Sequence, residues 1–289
     1  MNQVILKYYV TPNAVFCIEI TKNDIEINKF NDKKAIEDLV KSNLASNKII
    51  QNNYKNQLSQ LYKALIPELN SKKIVVVPDN FLNYVAFESL FNEKNSRFLV
   101  QDFDLSYDYS LPIGLLNKKF KPANQANNFV AFAPSYPASD IGVTRGDLKE
   151  LIFAKKEAAT VAKLFEGTAF LNNDATKNAF LNEKENFGVF HFSMHSLLFE
   201  DDFNKSCLVF SNNQRLYFSE LYAMDFPAQM VVLSACDTGN GVLKSGEGIM
   251  SISRALTYAG VNATVMSLWQ VPDKETSEIM IDFYQNLKK

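Results

Sequence analysis

The chain has 289 residues, a formal net charge of −2 and 47% hydrophobic residues, enough apolar material for one large core or two smaller ones. That charge excludes a nucleic-acid footprint and a polybasic membrane surface. Three cysteines, Cys17, Cys207 and Cys236, stand at unrelated spacings, which excludes a disulfide framework and a zinc pattern and points to a reducing, cytoplasmic compartment. The opening MNQVILKYYV has no basic n-region, long apolar stretch or small-residue cleavage site. No run approaches the roughly 18 apolar residues of a membrane span, so a soluble protein with no membrane partner is expected.

Strand and helix signals alternate over the first part of the chain. VILKYYV (4–10), AVFCIEI (14–20) and DIEINKF (24–30) are β-rich runs separated by turn chemistry at Thr11-Pro12-Asn13 and Lys22-Asn23-Asp24, and they read as a small antiparallel meander. Cys17 lies inside it as a small buried hydrophobe. Helical periodicity follows over 33–44 and 52–69, the second with Leu58, Leu61, Leu65 and Leu69 on one face. Lys73 to Val77 form a short buried strand ended by Pro78. The polar stretch 117–128 has linker composition and divides an N-terminal α+β subdomain, residues 1–125, from a second, residues 126–289.

From Phe129 the pattern is regular. NFVAFAPS (128–135) is a strand ending in a Pro-containing turn, and Asp147 to Phe165 an amphipathic helix. Asp174 is the expected N-cap of a helix through 184. FGVFHFSMHS (187–196) reads as a strand, LVF (208–210) and RLYF (215–218) as a hairpin, and QMVVLSA (229–235) as a buried strand. Glu247 to Tyr258 is the next helix, closed by Gly260, and NATVMSLW (262–269) the next strand. Alternation of this length predicts βαβ units, an α/β class and a mainly parallel sheet.

Two strands end in nucleophile chemistry. His195 follows strand 187–192 and Cys236 follows strand 229–235, so parallel neighbours would deliver both side chains to one sheet edge, where open α/β sheets carry their functional groups. Thiol addition to a carbonyl needs thiolate, which a nearby imidazole favours. Backbone N–H groups of Cys236 and of the loop after His195 are the candidate oxyanion donors. His191 and His195 as an HxxxH zinc pair fail, because the segment is β-like and no Glu follows His191. The glycine-rich stretch at 239–248 fails as a phosphate cradle: a dinucleotide fingerprint needs glycine where Lys244 stands, and a Walker loop needs Lys where Glu247 stands.

VFHFSMHS, VVLSACDTGNG, the GEG at 246–248, ISRALTYAGVNATVMSLWQVPD and the terminal FY at 283–284 resemble the CHAT family of caspase-like cysteine peptidases, relatives of separase. PDNFLNYVAFESL (78–90) and KKEAATVAKLF with DATKNAF agree, so the resemblance covers nearly the whole chain. It implies a caspase-like three-layer sandwich with a mainly parallel central sheet preceded by a pseudo-protease-like α+β subdomain, and a cysteine endopeptidase needing no cofactor and no metal. By position, Cys236 resembles the nucleophile and His195 the base. The family has glycine after the base where this chain has Ser196, which with Cys236 would supply the oxyanion N–H groups.

In the related separases an acid after the Trp-containing strand receives the substrate arginine, which assigns Asp273 to the specificity pocket with Trp269 as an apolar wall. The other reading of Asp273 is an N-cap for the helix beginning near Lys274. Asp237 is either a second acid at the pocket rim or a solvated loop acid. The resemblance further implies cleavage of protein substrates after Arg or Lys, a pore-forming, gasdermin-like effector among them, under control of a sensor or helical repeat region in prokaryotic defence. The alternative is a non-catalytic caspase-like interaction module. The chain stops at FYQNLKK, before a further helix that the family shows, so a truncated domain is expected.

Overall fold

The structure, a computed structural model, describes residues 3–45, 54–110, 128–136, 150–199, 202–234, 241–244, 248–268 and 271–289. Its contacts divide the chain into two compact units, residues 1–119 with 245–248, and residues 120–244 with 249–289.

In the first unit, β1 (Gln3–Val10), β2 (Val15–Ile20) and β3 (Ile25–Phe30) form the expected antiparallel meander. Burial alternates along β1, with Val4, Leu6 and Tyr8 inside, as one covered sheet face requires. Helix α1 (Lys33–Ala45) begins where the Asp32 Oδ1 accepts the Ala35 N–H at 2.9 Å. Helix α2 (Tyr54–Leu65) stops before Pro67, whose ring disfavours helical geometry in the residue ahead of it. Ile36 and Val40 of α1 and Leu58, Leu61 and Leu65 of α2 cover the inner face of the meander. Strand β4 (Lys73–Val77) adds to β1 in parallel, a two-residue pair β5 (Phe91–Asn92) and β6 (Arg97–Phe98) follows, and β7 (Asp104–Tyr107) adds to β4, giving the order β3-β2-β1-β4-β7.

The second unit begins with β8 (Phe129–Pro134), α3 (Ile152–Leu164), β9 (Thr168–Asn172), α4 (Lys177–Glu183) and β10 (Val189–Phe192). A small antiparallel sheet follows, β11 (His195–Leu197), β12 (Cys207–Val209) and β13 (Arg215–Tyr217), leading into α5 (Phe218–Tyr222). Strand β14 (Met230–Leu233), the pair β15 (Gly241–Lys244) and β16 (Gly248–Ser251), α6 (Ile252–Tyr258), β17 (Ala263–Met266) and α7 (Asp273–Leu287) complete it. The central sheet has the order β17-β14-β10-β8-β9, and every pairing in it is parallel.

Strand period two sends alternate side chains to the two faces of that sheet. Phe129, Ala131 and Ala133 of β8 and Val232 of β14 meet Ala154, Ala158 and Val161 of α3 and Tyr284 of α7. Val130, Phe132, Phe190 and Phe192 point the other way, into a core with Phe180 of α4, Leu221 of α5 and Leu256 of α6. That core is aromatic: Phe180 packs edge-on against Phe132, Phe190, Phe192 and Phe226, and each such buried ring contributes about 1.5–3 kcal/mol by its removal from water. Helices on both faces of a parallel sheet give the expected three-layer α/β sandwich. Gly167, between α3 and β9, cannot carry a side chain, since a Cβ there would lie 2.3 Å from the Phe129 carbonyl oxygen. Gly260 closes α6 at φ +106°, in the region that glycine enters without strain.

Several expected boundaries differ, among them the end of α2 at Leu65, which leaves Leu69 outside the helix. The run 187–196 is two strands in two sheets, because the chain leaves the central sheet after Phe192 and pairs His195 to Leu197 with β12. The cap of α4 is Thr176, in extended geometry with its hydroxyl accepting the Ala179 N–H at 3.0 Å, and Asp174 belongs to the preceding turn. Residues 248–251 pair as a strand, so α6 starts at Ile252 under a Ser251 cap; Glu247 lies outside the described residues. Helix α3 is described from Ile152, and 147–149 and most of the linker lie outside the described residues.

Candidate active site

Strands β8, β10 and β14 are parallel neighbours, in register from Val189 against Phe129 and Met230 to Phe192 against Phe132 and Leu233. The ladder continues one step beyond each end. The Ser193 N–H donates to Phe132 O at 2.9 Å and the Ser234 N–H to Phe192 O at 2.8 Å. The chain after Phe192, which reaches His195, and the chain after Leu233 therefore leave the sheet from the same edge, as does the chain after Pro134, which reaches Tyr136.

His195 is half-buried and opens β11 opposite Val209 of β12. Its N–H donates to the Tyr136 hydroxyl at 3.0 Å, and that hydroxyl donates in turn to Val209 O at 2.7 Å. One phenol thus ties together the backbones of both strands at the register position of the histidine. The Tyr136 ring lies 4.7 Å from the imidazole, centroid to centroid, at 57°. Tyr136 is 8% exposed, and burial keeps its phenol protonated far above the ordinary tyrosine range. Its own N–H donates to Glu150 Oε2 at 2.7 Å, while Glu150 Oε1 pairs with Lys155. Burial alone would raise the Glu150 pKa. Hydrogen bonds from Lys155 and the Tyr136 N–H, with the charges of Lys155 and His195, outweigh it and hold the carboxyl below its usual range.

A histidine carried past the edge of a parallel sheet and fixed by a buried phenol meets a direct family comparison: the CHAT domain model matches residues 55–289. The chain belongs to the CHAT family. CHAT domains are caspase-like and protease-related. The match runs from α2 to the last residue and leaves β1 to β3 and α1 outside it. Comparison with curated proteins finds no match.

Within this CHAT domain, Ser196 points a hydroxyl into a buried position where it has no hydrogen-bond partner among the described residues, beside Leu208 in the β11–β12 register. Asp273 is the first residue of α7, whose N-cap is Pro272 without a side-chain cap bond. The Asp273 carboxylate instead caps another helix: Oδ2 accepts the Phe153 N–H in the first turn of α3 at 2.9 Å, correcting the reading of Asp273 as the cap of its own helix. Cys236, Asp237 and Trp269 lie outside the described residues. Cys17 and Cys207 are buried free thiols, pushed up by burial to about 12 and about 11, which keeps both protonated at neutral pH. Among the described residues, no group of three or more His, Cys, Asp or Glu is arranged to hold a metal ion.

His191 belongs to the layer beneath the site. Strand period two turns it from the aromatic core toward α3 and α7, where it is fully buried. Its Nε2 comes within 2.8 Å of Glu157 Oε1, without the alignment of a linear hydrogen bond, and its Nδ1 lies 3.2 Å from the Tyr284 hydroxyl. Sequence reasoning did not single out Tyr136, Glu150 or Glu157. The available signal for Tyr136 is its place two residues past the end of β8, which becomes informative once β8 and β10 are known to be adjacent.

Proposed function

We propose that the chain is a cysteine endopeptidase in which His195 activates Cys236. The observation that carries this reading is the parallel pairing of β10 with β14, whose C-terminal ends lead to His195 and to Cys236. The Cys236 thiolate adds to the scissile carbonyl, backbone N–H groups of Ser196 and Cys236 bind the oxyanion, and the His195 imidazolium returns a proton to the departing amine. Water then attacks the thioester with His195 as base, releasing the acid product and the free thiol.

Substrates are cleaved after Arg or Lys. Asp273 receives the basic side chain through Oδ1, since Oδ2 already accepts the Phe153 N–H, with Trp269 and Asp237 at the pocket. The natural substrate is a protein, a pore-forming effector among the candidates, and activation comes from a sensor or helical repeat region. The reading places this action in the cytoplasm; among the described residues no helix is long and apolar enough to cross a membrane.

A second reading, a non-catalytic caspase-like interaction module, draws on Ser196, a side-chain-bearing residue whose buried hydroxyl has no partner among the described residues. A panel of peptides differing only at P1 decides between them. The peptidase reading expects turnover after Arg or Lys that disappears in Cys236→Ala and His195→Ala. No turnover by the native chain, with or without its activating region, supports the module.

A further inference from the structure

The geometry points to Tyr136 as the positioning residue of the base, with Glu150 as the charge that it holds beside His195; this rests on His195 being the base of the proposed dyad. A general base works only if its ring is oriented before substrate arrives, and an error of an ångström costs on the order of 100-fold in rate. His195 stands at the first position of a three-residue strand, where ladder bonds alone constrain it weakly.

Tyr136 supplies what the short strand lacks. Its hydroxyl accepts the His195 N–H and donates to Val209 O, so the backbone on both sides of the β11–β12 pair is pinned by one group. Its ring packs against the imidazole at 4.7 Å, which restricts the rotamers open to the base. The phenol is itself fixed, being 8% exposed and two residues beyond β8, an inner strand of the parallel sheet. The tilted aromatic contact and the hydrogen bond act on the same residue, one on its ring and one on its backbone. Together they are enough to favour one ring orientation over another by a factor of about ten.

Glu150 adds a directional charge. It is held by the Tyr136 N–H and by Lys155, and it feels the charge of His195. The coupling is mutual, so an ionised Glu150 favours the imidazolium that forms when the thiol gives up its proton. On the other side, Arg215 of β13 stands across Val209 in the same cross-strand row as His195, and with Lys155 it opposes that charge. Glu150 is the anion among these neighbours.

The test uses two readouts. In the active chain, Tyr136→Phe keeps the ring and removes the hydroxyl; kcat should fall about 10- to 100-fold with KM unchanged. In Cys236→Ala protein, where no activity is needed, NMR titration follows the two histidine rings of the chain, assigned by His195→Ala. Tyr136→Phe should broaden and shift the His195 ring signals while those of His191 hold. Glu150→Gln, which keeps the acceptor for the Tyr136 N–H, should lower the His195 pKa, because the anion that stabilised the imidazolium is gone. Wild-type kcat together with unmoved His195 signals in Tyr136→Phe would overturn the proposal. Absence of peptidase activity in the parent, with His195 signals still responding to Tyr136→Phe and Glu150→Gln, would sink the peptidase reading and leave the positioning of His195 standing.

Discussion

Asp273 holds two structural connections with one carboxylate. It opens α7, where an acid is favoured by the helix dipole, and it satisfies an otherwise orphan N–H in the first turn of α3. Its two assignments separate by substitution. Asp273→Ala removes acceptor and charge, and a urea titration should show a loss of about 0.5–2 kcal/mol, the range for a lost cap. Asp273→Asn keeps an oxygen acceptor, so stability should stay within a few tenths of the parent while any preference for Arg at P1 disappears. Retention of that preference in Asp273→Asn would remove the acid from the specificity pocket. The sequence made Asp273 visible through the run that ends at Pro272 and Asp273, but its partner Phe153 lies 120 residues away. The link between Tyr136 and His195, 59 residues apart, was unreadable for the same reason: a side chain that acts through a distant backbone group leaves no spacing in the chain.

The most consequential contact between elements is the polar set Glu157, His191 and Tyr284, which joins α3, β10 and α7 inside an otherwise apolar layer. All three are 1% exposed or less. Burial, with the charge of Glu157 beside it, pushes the Tyr284 phenol far above the usual tyrosine range, so this hydroxyl remains a neutral hydrogen-bonding group. Removing one member of a buried pair strands the other without solvent. Glu157→Ala should therefore cost about 3–5 kcal/mol in a denaturant melt, whereas Tyr284→Phe, which leaves the Glu157–His191 contact in place, should cost about 0.5–1.5 kcal/mol. Equal losses would show that the set is not organised around the Glu157–His191 contact. Period 3.6 revealed α3, and period 2 revealed β10. Neither reveals that Glu157 turns inward, because the group that makes its burial tolerable comes from a different element. The break between β10 and β11 escaped for a related reason: FGVFHFSMHS is uniformly strand-like, and only β12, as a new pairing partner, ends one sheet and begins another.

Over the whole molecule, the order of elements was largely legible, because βαβ alternation restricts an α/β chain to few arrangements. The order of strands within the central sheet was not, since nothing local tells β14 to lie between β10 and β17. Each of the two units carries a buried thiol, Cys17 in the first and Cys207 in the second, and together they set a response to alkali. Burial raises Cys17 from 9.0 to about 12 and Cys207 from 9.0 to about 11. The unfolded chain therefore releases these protons at a lower pH than the folded one. The stability they protect is fully present below about pH 9 and is lost as pH rises toward 11 to 12. Urea midpoints taken between pH 7 and pH 11 should hold to about pH 9 and then fall, and Cys17→Ala should flatten the fall for the first unit. A midpoint flat through pH 11 would contradict the burial of these thiols.

Between Phe192, the last residue of β10, and His195, the first of β11, stand Ser193 and Met194. Ser193 is bonded to Phe132 O, and Met194 is fully inside the aromatic core. They form a spacer with a parity. Successive side chains of a strand face opposite ways, so lengthening this spacer by one residue either ejects a bulge or presents the imidazole to the reverse side of the small sheet. Length between 192 and 195 should thus be less forgiving than composition: Ser193→Ala should keep the imidazole facing as it does, and a single glycine inserted after Met194 should turn it away while the central sheet, read by far-UV circular dichroism, persists.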